Sequence, residues 1–93
     1  MIPPRSHDHL PIWAQHIRAL RVQTGISQTG LGVAIGLDPG VASTRINRYE
    51  QGIHEPDYQT MRRLAAALNV SVAYLYCDDD QLAEMILAFR RST

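Results

Sequence analysis

Apolar residues recur along the chain at the three- and four-residue spacing of an α-helix, in short segments separated by glycine, proline and capping residues. The first segment begins near Ile12 and ends at Gly25, and the second begins after the N-cap residue Ser27 and ends at Gly36. The residues expected to be buried in these two helices are Trp13, Ile17, Leu20, Leu31, Ala34 and Ile35. No segment alternates convincingly with a period of two, so we predict no β-strand.

The third segment has two interpretations at its beginning. Its apolar residues with helical spacing are Ala42, Ile46 and Tyr49, and Gly52 ends it. Asp38 followed by Pro39 has the chemistry of an N-cap and a first helical position. The dipeptide Pro39-Gly40 is also typical of a turn, so the point at which this helix begins stays open.

Three further helices complete an all-α prediction. Asp57 caps the fourth helix, which ends at Asn69. Ser71 caps a short fifth helix, and Asp80 can cap a sixth. The residues expected to face the interior from the fourth and fifth helices are Met61, Leu64, Ala65, Leu68, Val72 and Leu75. The sixth helix carries one continuous apolar stripe, which consists of Leu82, Met85, Ile86 and Phe89.

Length and composition describe one small globular domain in the cytoplasm. The chain has 93 residues, of which 45% are hydrophobic and 19% charged, so it can form a core but not a large catalytic cleft. No apolar run approaches the roughly 20 residues that span a bilayer, and residues 1–5 lack the apolar core of a signal peptide. The single cysteine, Cys77, cannot form an internal disulfide, which is typical of a reducing compartment.

The net charge is zero, since nine arginines balance nine acidic residues. A strongly basic chain would indicate nucleic acid as a partner, and this chain as a whole does not. Residues 78–93 carry four acidic residues and two arginines, whereas residues 1–24 carry three arginines and one aspartate. We therefore expect any anion-binding surface to be local and the C-terminal end to point away from it.

A polar stripe follows the third helix between its buried positions. Its members are Ser43, Thr44, Asn47, Arg48 and Gln51. Asn and Gln side chains can bridge adenine, Arg can bridge guanine, and Ser or Thr can bond either base. The small residues Gly30, Gly32 and Ala34 in the second helix favour a close approach of the third, which can then stand out from the body of the domain. This pattern favours contact with DNA base edges.

Three motifs in this order resemble the Cro/repressor-type, or XRE-like, helix-turn-helix family of phage and bacterial regulators. They are GISQ at residues 25–28, INRYEQG at 46–52 and LAAALNVS at 64–71, and the resemblance covers residues 12–77. It implies a lambda-repressor-like domain of five helices, here with an additional C-terminal helix, whose third helix enters the major groove of double-stranded DNA. It also implies that Gln28 contacts phosphate at the start of the second helix. The outward positions of the recognition helix are then Ser43, Thr44, Asn47 and Arg48.

The chain departs from the family between Gly36 and Ile46. It has about four residues more than is typical there, which is one helical turn. These residues lengthen either the recognition helix or the turn before it. Arg45 also has two interpretations, a phosphate contact or an ion pair with Glu50. Glu50 would repel phosphate, so we expect it to be structural, and we expect Arg21 to be an ordinary surface charge. The predicted DNA-binding residues are Gln28, Ser43, Thr44, Arg45, Asn47, Arg48 and Gln51.

No group of residues points to catalysis, a metal or a cofactor. The sequence lacks a Ser/His/Asp set, a phosphate loop and zinc-ligand spacing, so we predict no enzyme activity and no cofactor. His7 and His9 are spaced like a pair of metal ligands but have no third ligand, and we expect no metal site. Cys77 is better explained as a small core residue than as a redox sensor.

The apolar stripe of the sixth helix requires a cover, because an exposed patch of that size is unusual in a monomer. It either folds back on its own domain near Trp13 or pairs with a second copy across a twofold axis. We favour dimerisation, because one small domain reads too few base pairs for useful specificity. The predicted dimerisation residues are Leu82, Met85, Ile86 and Phe89.

These inferences predict a flexible arm over residues 1–11, with Pro11 as a first helical residue, a helix-turn-helix domain over 12–77 and a dimerisation helix over 78–93. The predicted function is that of a cytoplasmic, homodimeric transcriptional repressor that reads an inverted repeat in double-stranded DNA. The alternative is an interaction module, such as a DNA-binding antitoxin whose C-terminal helix docks a protein partner.

Overall fold

The computed structural model describes residues 9–92, and the side chains of residues 9–89. This part of the chain forms six helices and no strand, which confirms the all-α prediction. The helices are α1 (Ile12–Thr24), α2 (Gln28–Ala34), α3 (Pro39–Glu50), α4 (Tyr58–Ala67), α5 (Val72–Tyr76) and α6 (Asp80–Ser92). Residues 1–8, most of the predicted arm, lie outside the described residues.

Four of the predicted N-caps are confirmed by side-chain hydrogen bonds. A side-chain oxygen accepts from a backbone N–H of the first helical turn at the starts of α2, α3, α4 and α5, over 2.8–3.2 Å. The caps are Ser27, Asp38, Asp57 and Ser71. The predicted cap of the sixth helix is wrong by one residue. Asp79 accepts from the Leu82 N–H at 3.0 Å, whereas Asp80 already lies in the first turn.

One core joins helices α1 to α5. Ile17, Leu31, Ile46, Met61, Leu64 and Leu75 are fully buried in it. Most of the apolar positions predicted from helical spacing are buried, but Ala34 is exposed and Val72 is half-buried. Leu31 and Ile35 cover the interior side of the short helix α2, so Ala34 at its last position is left facing solvent.

The beginning of the domain lies before residue 12. Leu10 is half-buried against the core, and its carbonyl oxygen accepts from Gln15 Nε2 at 2.8 Å. Pro11 is the N-cap residue of α1 rather than a helical residue, and its ring lies against Gly52, where an added Cβ would meet Pro11 Cδ at 2.8 Å. Leu10 and Pro11 therefore belong to the packed domain and not to the predicted arm.

Helix α6 buries one narrow strip and exposes three of the four residues of the predicted stripe, the fourth, Ile86, being half-buried. Ala83 is buried and Leu87 packs against the core, so α6 is attached to the domain beside α5. On its other side Leu82, Met85 and Phe89 are 48%, 67% and 73% exposed. Within residues 9–92 no helix combines the length and the apolar character needed to cross a membrane.

Candidate nucleic-acid interface

Helices α2 and α3 touch through a glycine. A Cβ added at Gly32 would lie 2.5 Å from Ala42 Cβ and 2.8 Å from Ala42 Cα, so the backbones are too close for any larger residue. Gly32 therefore has the role that the sequence predicts for small residues in this helix. Gly30 and Ala34 do not share it, since Gly30 faces Ile26 and Ser27 and Ala34 faces solvent.

The connection between α2 and α3 is short, and the additional turn lies in α3. Gly36 has a φ of 93°, a backbone conformation that suits glycine, and the Leu37 N–H donates to the Gly32 carbonyl oxygen at 3.0 Å. Asp38 then caps α3, which begins at Pro39 and contains 12 residues. Both open questions about this segment are thus answered: Asp38 is the N-cap, and the added residues lengthen α3.

The outward face of α3 is polar and is formed by the predicted residues. Helix α3 buries Ala42, Ile46, Tyr49 and Glu50. All six predicted DNA-binding residues of this segment are exposed, namely Ser43, Thr44, Arg45, Asn47, Arg48 and Gln51. Sequence reasoning did not single out Val41, which is also exposed. The only signal for Val41 was its place outside the buried helical series.

Gln28 connects the start of α2 to α3. Its Nε2 group donates to Asn47 Oδ1 at 3.3 Å and to Glu50 Oε1 at 3.1 Å. These bonds hold the oxygen of the Asn47 side chain toward α2 and direct its Nδ2 donor away from Gln28. The structure therefore brings Gln28 and Asn47, both predicted DNA-binding residues, into direct contact.

Glu50 is buried and forms an ion pair with Arg21 from α1. The Nε and Nη2 groups of Arg21 donate to the Glu50 carboxylate, the latter at 3.2 Å, and Arg21 Nη1 donates to the Ile26 carbonyl oxygen at 3.1 Å. The expectation that Glu50 is structural is confirmed. The alternative ion pair with Arg45 is wrong, because the Glu50 carboxylate points inward to Arg21. Arg21 is likewise not a surface charge, and no local signal could have revealed a partner 29 residues away.

The electrostatic consequence is a locally positive face on a neutral chain. The Glu50 charge is neutralised below α3 by Arg21, whereas Arg45 and Arg48 stay exposed on α3. The polar residues between them can donate and accept hydrogen bonds. The arrangement suits phosphate oxygens and base edges.

No alternative chemistry emerges elsewhere in the described residues. Among them, no three His, Cys, Asp or Glu residues are grouped so that they could hold a metal ion, and His7 lies outside them. Cys77 is half-buried, and its thiol donates to the Asp79 carbonyl oxygen at 3.4 Å. His16 contacts the Cys77 carbonyl oxygen through Nε2 at 2.8 Å and so engages the backbone of this residue and not its sulfur.

Comparison with known proteins decides the family. The model of the helix-turn-helix family HTH_3 matches residues 17–75. The chain belongs to this family. Among solved structures, it is similar to the transcriptional regulator BswR, with 43% identity and a TM-score of 0.77 over 83% of this chain and 76% of that one. It is also similar to the hypothetical transcription factor NHTF from Neisseria, with 25% identity and a TM-score of 0.68 over 91% of this chain and 97% of that one.

The resemblance to Cro/repressor-type helix-turn-helix proteins is thereby confirmed. This helix-turn-helix protein is a DNA-binding transcription factor whose ligand is double-stranded DNA. Transcription regulators of this family are generally not enzymes. No curated protein matches the chain at a significant level.

Proposed function

We propose that this helix-turn-helix protein is a homodimeric transcriptional repressor that reads an inverted repeat by placing α3 in the major groove. The observation that carries the proposal is the outward face of α3, whose exposed side chains between Ser43 and Gln51 are polar and not acidic. On the inward side of the helix, Arg21 pairs with Glu50 and neutralises its charge. A dimer bound over a promoter would exclude polymerase by occupancy alone. A reporter gene controlled by an operator that this protein binds tests the sign of regulation. A repressor should lower the expression of the reporter, whereas an activator would raise it.

Base recognition is assigned to the exposed hydrogen-bonding side chains of α3. Asn47 and Arg48 have the chemistry to bridge adenine and guanine. Ser43, Thr44 and Gln51 add contacts to base edges or phosphates along the same helix. Arg45 is exposed and without an ion-pair partner among the described residues, so we assign it to the phosphate backbone.

Gln28 has two roles that compete for its donors. A Gln amide has two N–H groups, and in the free protein both are donated, to Asn47 and to Glu50. A phosphate oxygen can therefore be bound only if one of these bonds is exchanged. The 3.3 Å bond to Asn47 is the longer and lies at the exposed side, so we expect Gln28 to exchange this bond when DNA is bound.

Dimerisation is assigned to α6. Ala83 and Leu87 pack α6 against its own domain. The exposed stripe of Leu82, Met85 and Phe89, with half-buried Ile86, is the surface that we assign to contact with a second copy. A twofold dimer places its two recognition helices about 34 Å apart, one turn of DNA. Met85→Asp should therefore yield a monomer in sedimentation equilibrium. Val22→Asp, at an exposed valine of α1, is the matched control and should stay dimeric.

The deciding experiment is selection of bound duplexes from a random DNA pool at near-physiological salt. An enriched inverted repeat with half-sites about one helical turn apart supports both the reader and the dimer. Enrichment of a single half-site would still support base reading by α3 and would contradict the dimer. Asn47→Ala should then weaken binding by about 1–3 kcal/mol at the cognate site and relax preference at one base position. An equal loss on every sequence would make Asn47 a phosphate contact instead.

The exposed stripe of α6 also favours a second candidate, an interaction module such as a DNA-binding antitoxin. In that case the stripe binds a different protein. A protein that co-purifies with the native chain and is lost from Met85→Asp, together with a monomeric isolated chain, would replace the homodimer by this candidate.

A further inference from the structure

One large apolar side chain is exposed on α3. Val41 lies in the first turn of α3 and is 47% exposed, whereas its neighbour Ala42 is fully buried. A β-branched residue is a weaker helix former than most of the alternatives at an exposed helical position. Val41 is also not part of the core. Neither helix formation nor burial therefore explains a valine here.

Helical spacing places Val41 with the residues assigned to DNA. Residues three, four and seven positions apart share one face of a helix, so Val41 lies one turn before Thr44 and two turns before Arg48. This turn is the one that lengthens α3, and Asp38 anchors its start through the Gly40 N–H at 2.8 Å. The N-terminal residues of a recognition helix are those that contact base edges.

The major groove displays one apolar group on unmodified DNA, the C5-methyl group of thymine. We propose that Val41 is a specificity-determining residue that packs against the C5-methyl group of one thymine in each half-site. The proposal rests on the proposed function, since it requires α3 to lie in the major groove. The added turn of α3 thus extends base reading by an apolar contact rather than by another hydrogen bond.

The test removes methyl groups from each side of the contact, one from thymine and two from Val41. In the selected operator, each thymine is replaced in turn by uracil, which lacks only the methyl group, and binding is measured for the full chain and for Val41→Ala. At one thymine per half-site the replacement should weaken binding of the natural chain about fourfold, which corresponds to one buried methyl group. Val41→Ala, which lacks both γ-methyl groups, should show a clearly smaller uracil effect at that position.

Val22→Ala is the matched control, because Val22 is exposed to a similar extent on α1. This variant should keep the full uracil effect. Alanine is the best helix former, so Val41→Ala retains α3, and thermal unfolding of the variant verifies this. Equal uracil effects in the natural chain and in Val41→Ala at every thymine would overturn the proposal while operator binding continued to support the proposed function. Failure to select any operator would overturn both.

Discussion

The ion pair between Arg21 and Glu50 should cost the fold more when one partner is removed than when both are replaced. The Glu50 side chain is 1% exposed, and its carboxylate accepts two N–H groups from Arg21 and one from Gln28. The Arg21 side chain is 15% exposed and also donates to the Ile26 carbonyl oxygen. Breaking a buried pair leaves an uncompensated charge and costs about 3–5 kcal/mol.

The two single variants should differ within that range. In Arg21→Met the Glu50 carboxylate stays buried with Gln28 as its remaining donor, so we expect a loss of about 5 kcal/mol in the free energy of unfolding. In Glu50→Leu the guanidinium can turn toward water and keeps the Ile26 oxygen, so we expect about 3 kcal/mol. The double variant replaces the pair by apolar side chains and should be more stable than Arg21→Met by at least about 2 kcal/mol.

Urea unfolding of the four proteins at neutral pH gives these free energies, and the double-mutant cycle gives the coupling. A domain of this size is stable by roughly 5–15 kcal/mol, so an excluded osmolyte at one fixed concentration should be present throughout to keep Arg21→Met folded. Losses that add within about 0.5 kcal/mol would refute the reasoning. A larger loss for Glu50→Leu than for Arg21→Met would refute the argument from burial.

Three further expectations concern packing, pH and salt. Gly32→Ala should destabilise the fold by about 1–3 kcal/mol in urea unfolding, because the new Cβ meets the Ala42 backbone, whereas Gly30→Ala meets only side chains and should cost less; equal effects would contradict the close contact. The Thr60 backbone N–H, and then its side chain, lower the pKa of Asp57 below its ordinary 3.8. The ionised Asp57 therefore stabilises the fold above pH 3.8, and this stabilisation is lost as pH falls through the lowered pKa of the folded state. Asp57→Asn should flatten the acid side of a plot of unfolding free energy against pH, and an unchanged acid side would contradict this. The zero net charge predicts a shallow dependence of affinity on salt, and a log–log slope of about −9 or steeper, equivalent to ten or more phosphate contacts, would contradict it.

Helix boundaries were predictable because capping is local chemistry. Ser27, Asp57 and Ser71 each accept from an N–H group three residues ahead, so the residues that decide these boundaries stand close together in the sequence. The sixth helix was misplaced by one residue because Asp79 and Asp80 are both competent caps. The choice between them depends on where Ala83 must sit to reach the core, which is a tertiary constraint.

In the candidate site, too, the features set by neighbouring residues were predictable, whereas a long-range partner was not. Exposure of Asn47 and Arg48 followed from the helical positions of their buried neighbours, and the structure places them as predicted. The partner of Glu50 did not follow, because Arg21 and Arg45 are equally suitable by charge and only the packing of α1 against α3 selects Arg21. Periodicity gives the direction in which a side chain points, whereas the identity of a long-range partner depends on how helices cross.

The contacts around Glu50 explain how a neutral chain can present a locally positive face on α3. An acid on the outward side of α3 would repel phosphate, but Glu50 faces inward, where Arg21 neutralises it and Gln28 donates to its second oxygen. In the free protein the same Gln28 amide also holds Asn47, which we propose to read a base, so the orientation in which Asn47 approaches DNA depends on a buried carboxylate. Substitution of Glu50 should therefore reduce both the stability of the domain and its discrimination between bases, although the Glu50 side chain is buried on the inward side of α3.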